Sequence, residues 1–445
     1  MTRYDFKNLI LQAVLTIGAV SMWVAGVQGQ PVALSDAIQM ALKQNETVLI
    51  AEQGVARAKG QVTSAGAEGY PKLSFNGFYT RNWRVPTSVI NGNTIKFGSA
   101  NVLNANLSLT IPLYKGGKIR AARRAAQAFR AFSEANLNAA RQQVAFDTQR
   151  AFYAVLLSDE LIRVTEAALK QAEAHLEQVN QLLKAGTASD YEALRARVQV
   201  ANLKPAAITA KNNGDIALLD LKRTVGMDLT APLAIAGKLE AVVAEEVPVA
   251  RSIDEAVAMA LKGRPELIAL DYQVDLQEDN VRIQAGDGRP SVTLVNAYQN
   301  QAQVNDIGKL GTDKFVQSYN SRLVVDFPLF DGLKSRGGVA QARSDFRAAT
   351  YSKQQRQKQI ELEARQSFLR VQEALNRLDA QKETVTLADR GLQIAEVRYR
   401  TGVATQLEVF DAQVVLTQAQ TSHAQALNDY AVATAGLRKA LGVVK

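Results

Sequence analysis

The residues best suited to chemistry do not form a catalytic or metal-binding arrangement in this sequence. Lys115-Gly-Gly-Lys118 is the segment nearest to a phosphate-binding loop, but it lacks the spacing and the Ser or Thr of that motif. The two histidines, His175 and His423, lie far from each other and from other possible ligands, so we expect each on a helix surface rather than at a metal. Aspartates and glutamates show no paired arrangement near a predicted cleft. The sequence therefore predicts no enzyme, no cofactor and no metal site.

The composition excludes further classes of protein. The chain has no cysteine, which rules out a disulfide scaffold and a thiolate metal site. Of its 445 residues, 47% are hydrophobic and 21% are charged, a balance typical of folded rather than disordered chains. The net charge is +9, but the basic residues are spread along the chain beside acids. This distribution favours solvated helix faces over a nucleic-acid-binding surface.

Residues 1–29 have the pattern of a secretory signal peptide. Arg3 and Lys7 precede an apolar segment at residues 13–27, which is followed by small residues suited to cleavage. A membrane anchor is the competing interpretation, because the apolar run from residue 9 is nearly long enough to span a bilayer. We favour the signal peptide because three polar residues interrupt the run: Gln12, Thr16 and Ser21.

An internal repeat organises the rest of the chain. The segment 34–43 (LSDAIQMALK) returns at 253–262 (IDEAVAMALK), 219 positions later. The segment 111–118 (IPLYKGGK) returns at 327–334 (FPLFDGLK), 216 positions later. The three-residue change in offset falls between Pro71 and Pro112, where a loop would absorb it. Such self-similarity indicates a tandem duplication. The predicted divisions are a first repeat at residues 30–226, a connector at 227–251 and a second repeat at 252–445.

The sequence of each repeat predicts the same order of elements: a helix, two strands, a long helix, a turn and a final helix. Residues 118–185 contain neither proline nor glycine and are rich in helix formers. As one helix they would extend for about 100 Å, too far for a compact domain. Apolar residues recur every seven positions in both copies, which favours supercoiled helices over an ordinary amphipathic core helix. These positions are Val155, Ile162, Leu169, Leu176 and Leu183, and Val371, Leu378, Val385, Leu392 and Tyr399. The predicted helices are residues 118–185, 189–225, 334–400 and 405–441.

The strand segments alternate between apolar and polar residues. In the second strand Leu107 and Leu109 alternate with Asn106, and in the fourth Phe327 and Leu329 lie on the apolar side. Lipid-facing strands around a polar lumen give this alternation. A half-buried sheet of a soluble protein gives it too, so the strands alone leave both interpretations open. The predicted strands are residues 70–86, 99–114, 290–302 and 316–330.

An exported chain with such strands points to the Gram-negative outer membrane. Four strands cannot close a barrel around a lumen, and open edges facing lipid leave backbone groups unpaired, at several kcal/mol each. Several chains must therefore pool their strands, and three chains would supply twelve. The predicted fold is mainly α with β: a long α-helical coiled-coil barrel plus transmembrane β-barrel strands shared in a trimer, with an internal tandem repeat.

The chain resembles the TolC family of outer-membrane efflux proteins over both copies. The resemblance rests on residues 111–117 (IPLYKGG) and 327–332 (FPLFDG), and on the turn segments 183–189 (LKAGTAS) and 399–405 (YRTGVAT). It implies a homotrimer in the outer membrane that extends into the periplasm, docked to a periplasmic adaptor and an inner-membrane RND or ABC pump. The implied function is a passive export duct of a tripartite efflux or type I secretion system.

The resemblance also implies that two helix–turn–helix tips form a closed periplasmic entrance that meets the adaptor. The first tip turn is Gly186, Thr187 and Ala188, and the second is Gly402, Val403 and Ala404. In the family, acids that face the pore lie six and nine residues after the second glycine. The implied gate residues are Glu408, Asp411, the first-copy counterpart Glu192 and the gate tyrosine Tyr399. Ala404 stands where some members have a basic residue, so the closing bonds are expected to differ.

The implied gate residues also have structural interpretations. Ser189 with Glu192, and Thr405 with Glu408, match the capping-box pattern that begins a helix. Tyr399 belongs to the heptad pattern, whereas a cap does not need Asp411. Glu408 and Asp411 are three positions apart and share a helix face, so a trimer would form rings of carboxylates that favour cations. The competing function for the chain is a periplasmic coiled-coil structural or adaptor protein without a pore.

Overall fold

The computed structural model describes residues 31–90, 93–96, 98–244 and 249–443. The predicted signal peptide lies outside the described residues. The described helices are α1 (Leu34–Gln44), α2 (Glu46–Ala67), α3 (Lys118–Lys184), α4 (Asp190–Val225), α5 (Leu239–Ala244), α6 (Ile253–Gly263), α7 (Pro265–Ala285), α8 (Lys334–Arg400) and α9 (Gln406–Ala440). The described strands are β1 (Lys72–Arg81), β2 (Thr87–Ile90), β3 (Asn93–Lys96), β4 (Asn101–Lys115), β5 (Ser291–Val304) and β6 (Phe315–Asp326).

The described residues divide into two compact units. The first unit comprises residues 31–44, 147–244 and 377–432, and it is almost entirely helical. The second unit comprises residues 45–146, 249–376 and 433–443, and it contains the strands. The long helices α3 and α8 have 67 residues each and contribute residues to both units. The architecture is therefore mainly α with β, as the sequence predicts.

Small and branched apolar residues pack the helices of the first unit. Val179 of α3 is fully buried against Ala193 and Ala196 of α4. Leu392 of α8 packs in the same way on Val409 and Leu416 of α9, and both of these residues are buried. Close packing of long helices against their chain neighbours is the arrangement that a seven-residue period favours.

The second unit contains an antiparallel sheet in the order β1-β4-β5-β6. Pairing is continuous along each interface, with one register shift in β4 between Pro112 and Tyr114. The shift follows from the proline, which has no N–H to donate to the ladder. Directly opposed residues share a face, so the register produces an apolar row across all four strands: Phe75, Leu107, Tyr298 and Tyr319. The row of the opposite face beside it is polar: Asn76, Asn106, Gln299 and Ser318.

A polar side chain joins three strands of this sheet. Asn101 is fully buried, and its Oδ1 accepts from the Tyr79 hydroxyl at 2.8 Å and from the Arg81 guanidinium at 2.7 Å. Its Nδ2 donates to the carbonyl oxygen of Val304 at 3.1 Å. A buried amide is tolerated when its donor and acceptor are both satisfied. Asn101 therefore fixes the ends of β1, β4 and β5 relative to one another.

The helices of the second unit approach closely at two glycines. Ala260 of α6 and Ile360 of α8 are fully buried in one apolar cluster with Leu441. A Cβ atom on Gly442 would overlap the backbone of Gly263, and Gly442 has φ +73°. Both the contact and the left-handed backbone therefore require glycine at position 442.

Several element boundaries differ from the sequence predictions. The strand predicted at residues 70–86 ends at Arg81, and β2 and β3 form a separate hairpin beyond it. The strand predicted at 316–330 ends at Asp326, so placing Phe327 and Leu329 on it was wrong. Pro328 explains this end, because it lacks an N–H and restricts the residue before it.

Each repeat also begins with two helices rather than one. Asn45 separates α1 from α2, and its side chain accepts the N–H of Thr47 at 2.9 Å as an N-cap. Arg264 separates α6 from α7, which has Pro265 at its first position. The connector contains the short helix α5.

Within the described part of the chain, no helix combines the length and the apolar composition that crossing a membrane requires.

Candidate gate at the helix turns

The first tip turn ends α3 with a glycine in the left-handed region. Gly186 has φ +75°, and its N–H donates to the carbonyl oxygen of Leu183 at 3.0 Å. The N–H of Thr187 donates to the carbonyl oxygen of Leu182 at 2.9 Å. This pair of bonds is a Schellman cap, which satisfies the last carbonyls of the helix. Ala188 packs partly buried on the cluster around Val179.

The second tip turn repeats this geometry at the end of α8. Gly402 has φ +73° and donates its N–H to the carbonyl oxygen of Tyr399 at 3.0 Å. The N–H groups of Val403 and Ala404 both donate to the carbonyl oxygen of Arg398, at 2.9 and 3.2 Å. Val403 is 70% exposed, so the second turn presents an apolar side chain to its surroundings. The duplicated sequence therefore produces duplicated turns.

Glu192 is part of a complete capping box at the start of α4. Its carboxylate accepts the N–H of Ser189 at 2.8 Å, and the Ser189 hydroxyl accepts the N–H of Glu192 at 3.2 Å. The carboxylate is therefore held along the start of its own helix, where the helix dipole favours negative charge. The structural interpretation of Glu192 accounts for its observed contacts.

Glu408 occupies the equivalent position in α9, with looser geometry. Its carboxylate accepts the N–H of Thr405 at 3.4 Å, and its own N–H donates to the Thr405 hydroxyl oxygen at 3.4 Å. The carboxylate also lies 3.6 Å from the guanidinium of Arg398, in a pair whose two side chains are about half exposed. Solvent weakens such an ion pair, so the cap and the pair together hold Glu408 only moderately.

Asp411 is the least restrained of the predicted gate acids. Its side chain is exposed, and the described residues give its carboxylate no hydrogen bond or ion pair. With Glu408 and Arg398 it lines an open groove of about 590 Å³ between α8 and α9, whose apolar wall includes Ile394 and Val415. Asp411 is therefore an exposed acid that no contact among the described residues requires.

Tyr399 lies in a different environment from Glu408 and Asp411. Its ring packs on the cluster that contains Leu392 and Val409, and its centroid lies 5.5 Å from that of His175. Burial raises the pKa of the Tyr399 phenol, and the negative charge of Glu192 raises this pKa further. The structure thus divides the four predicted residues into two groups, with Glu408 and Asp411 in one and Tyr399 and Glu192 in the other.

His175 is buried, so the expectation of a helix-surface histidine was wrong. Its side chain is 7% exposed, and its ring lies edge-on to Phe410 with 5.3 Å between centroids. His175 comes three residues after Ala172 and four before Val179, which are both buried on the inner face of α3. That spacing is the sequence signal that would have placed it inside. His423 is partly buried, and its Nδ1 has no partner among the described residues.

A metal centre is not among the arrangements found in the described residues, where no three His, Asp or Glu side chains converge as ligands. The region around the two turns combines exposed acids, capped helix ends and the buried imidazole of His175. Such an arrangement can repel or attract ions and can hold helices together, but it assigns no acid, base or nucleophile.

The chain is similar to known proteins in both sequence and fold. The family model described as "Outer membrane efflux protein" matches residues 37–227 and 256–443. Outer membrane protein TolC of Escherichia coli (strain K12) is 23% identical over 354 residues, covering 78% of this chain and 70% of the relative. Solvent efflux pump outer membrane protein SrpC of Pseudomonas putida is 24% identical over 429 residues, covering 92% and 85%. The crystal structure of the Campylobacter jejuni CmeC outer membrane channel aligns with a TM-score of 0.77 at 19% identity, covering 92% and 85%.

Proposed function

Because the chain belongs to the outer membrane efflux protein family, we propose that it forms the outer-membrane duct of a tripartite efflux or type I secretion system. The duct is passive: an inner-membrane pump supplies energy, and a periplasmic adaptor joins the pump to the duct. The observation that carries this proposal is the four-stranded sheet, which has an apolar row beside a polar row and two outer strands.

The sheet supports a trimeric assembly. Among the described residues, β1 and β6 each pair on one side only. Backbone groups left unpaired in lipid cost several kcal/mol each, so these edges require partners if the sheet lies in a membrane. Joining β6 of one chain to β1 of the next closes the sheet, and three chains give twelve strands. The apolar row containing Leu107 then faces lipid, and the row containing Asn106 faces the lumen.

The tip turns are the proposed periplasmic end of the duct. Gly186, Thr187, Gly402 and Val403 are exposed, which leaves both turns free to meet an adaptor. The proposed partners are therefore two further copies of the chain, a periplasmic adaptor and an inner-membrane RND or ABC pump. No nucleic acid is among them.

Asp411 is the residue we assign to ion selection at the entrance. Threefold symmetry would place three Asp411 carboxylates around one axis, where they favour cations. Glu408 is expected to contribute less, because Arg398 and the Thr405 cap hold its carboxylate. Glu192 serves as a cap, and Tyr399 is expected to help hold the entrance closed.

The proposal is tested by the oligomeric state and conductance of the full chain. Membrane fractions should contain a detergent-requiring trimer whose gel mobility changes on heating, and the purified trimer should form pores in planar bilayers. A chain released by osmotic shock as a soluble monomer would instead match the scaffold or adaptor interpretation. A conducting monomer or dimer would contradict the shared barrel.

A further inference from the structure

Three helices and both tip regions meet at one buried side chain. Gln406 is the first residue of α9, immediately after the second tip, and it is 4% exposed. Its Nε2 donates to the backbone carbonyl of Glu192 at 3.2 Å, just after the first tip. The same Nε2 lies 3.3 Å from Nε2 of His175 in α3. We term this cluster of His175, Gln406 and the Glu192 carbonyl the tip node. It connects the helical hairpin of α3 and α4 directly to the hairpin of α8 and α9.

The hydrogen bonds of the tip node define the protonation state of the imidazole. An amide NH₂ has two hydrogens, and one is directed to the Glu192 carbonyl. The second can bond to His175 only if the imidazole Nε2 carries no proton, which assigns the neutral tautomer with hydrogen on Nδ1. The Gln406 Oε1 atom is buried and has no partner among the described residues. Turning the amide over would place this oxygen against the Glu192 carbonyl, with two acceptors facing each other.

A second proton on His175 is incompatible with this arrangement. The Nε2–H of an imidazolium would point at the amide NH₂, so that two donors would face each other. Turning the amide over would satisfy the imidazolium and the Gln406 oxygen, but it would break the bond to the Glu192 carbonyl. Either outcome weakens the connection between the hairpins.

The groups around His175 determine where it titrates. Burial lowers the pKa of His175, and the negative charge of Glu396 on α8 opposes this shift only in part. Arg400 lines the same cavity of about 220 Å³ as His175, Glu396 and Tyr399. On α4, Arg195 lies over the Phe410 ring at 5.8 Å. The Glu192 carboxylate is held in its cap.

The sign of the pH effect follows from this lowered pKa. A histidine that is harder to protonate in the closed arrangement takes up protons on opening. The node therefore stabilises the closed arrangement fully above the ordinary histidine pKa of about 6.5. This stabilisation is lost as the pH falls through the lowered pKa of His175.

We propose that His175 and Gln406 are positioning residues that hold the two tip regions together while the imidazole is neutral, so that acid loosens the entrance. The proposal deepens the export-duct function and rests on it. One titrating group in each chain limits the effect to about tenfold in the open–closed equilibrium per pH unit and per chain.

Single-channel recording of the full trimer between pH 7.5 and 5.5 tests the proposal. The native chain should open more often as the pH falls. His175→Gln keeps a neutral acceptor for Gln406 and should give rare opening with a flat pH profile. His175→Phe keeps the aromatic packing but removes the acceptor, so it should open more often even at pH 7.5. His423→Gln is the matched control because it removes the other histidine, and it should keep the native profile.

Hydrogen–deuterium exchange gives a readout that does not depend on conductance. After correction for intrinsic exchange, amides of residues 189–196 and 405–412 should lose protection below pH 6.5 in the native chain but not in His175→Gln. A native pH profile in His175→Gln would overturn the proposal, by either readout. If neither the native chain nor any variant conducts, the export-duct function fails, and exchange alone decides whether the node responds to acid.

Discussion

Two adjacent residues of β4 offer a matched test of the barrel wall. Leu107 and Asn106 lie near the middle of a 15-residue strand, at almost the same depth, and their side chains point to opposite faces. Leu107 belongs to the apolar row with Phe75 and Tyr298, whereas Asn106 belongs to the polar row with Asn76. Leu107→Arg should therefore place a guanidinium in lipid, and Asn106→Arg should place one in the lumen.

The expected difference between these variants is large. An arginine on the lipid face near the midplane costs about 2–4 kcal/mol per chain, roughly a 30- to 1000-fold change in an equilibrium constant. The trimer carries this change three times. The lumen-facing arginine carries no such cost, because water remains available to it.

The assay is the fraction of chain recovered as heat-modifiable trimer in the membrane fraction, followed by urea titration of the folded trimer. For Leu107→Arg, little of the chain should be recovered as trimer, or the trimer should unfold at a much lower urea concentration. For Asn106→Arg, both the recovery and the unfolding midpoint should stay close to the native values. Equal losses in the two variants would refute the assignment of faces and with it the barrel wall.

Three further predictions concern the tips and the helix packing. Asp411→Asn should reduce cation preference and block by multivalent cations, while Glu408→Gln should have the smaller effect. Reversal potentials in salt gradients measure the cation preference of each variant, and the current with added multivalent cations measures the block. Unchanged selectivity in the double variant would make these acids surface residues. Tyr399→Phe should raise the opening frequency in single-channel records, because the ring keeps its packing while the hydroxyl is lost. Gly442→Ala should lower the free energy of unfolding by at least about 1 kcal/mol, since its Cβ would overlap Gly263 and its φ is positive. Gly391→Ala is the control, because a Cβ there meets open space and favours the helix, so chemical denaturation should show no loss.

Features encoded locally were the most accessible from sequence. The glycine at the end of α3 and the Ser189–Glu192 pattern predict a turn and a cap within a few residues, and the structure contains both. The alternation of apolar and polar residues around Leu107 can likewise be read from neighbouring positions alone. Local backbone preferences and side-chain periodicity determine such features, so one sequence is sufficient to predict them.

Features that depend on distant residues were missed. His175 becomes buried because Gln406 and Phe410, more than 200 positions later, pack against it. The break between α6 and α7 depends on Arg264, which is buried and paired with Glu363 of α8. The ends of β1 and β6 depend on where the neighbouring strands stop pairing. Local spacing can indicate a buried helix face or the end of a strand, but it does not identify the distant residue that makes the contact. The roles of the gate residues remain predictions for the same reason.

Cysteine cross-linking between chains tests the shared barrel most directly. The chain has no native cysteine, so an introduced pair is the only source of disulfides. Asn76→Cys in β1 would be combined in turn with Ser318→Cys, Asn320→Cys and Arg322→Cys in β6, because β6 of one chain pairs with β1 of the next in the proposed barrel. At least one pair should give a covalent trimer on oxidation in the membrane, while each single-cysteine variant stays monomeric on denaturing gels. Folded, membrane-inserted protein that yields no intermolecular product with any pair would contradict the shared twelve-stranded barrel.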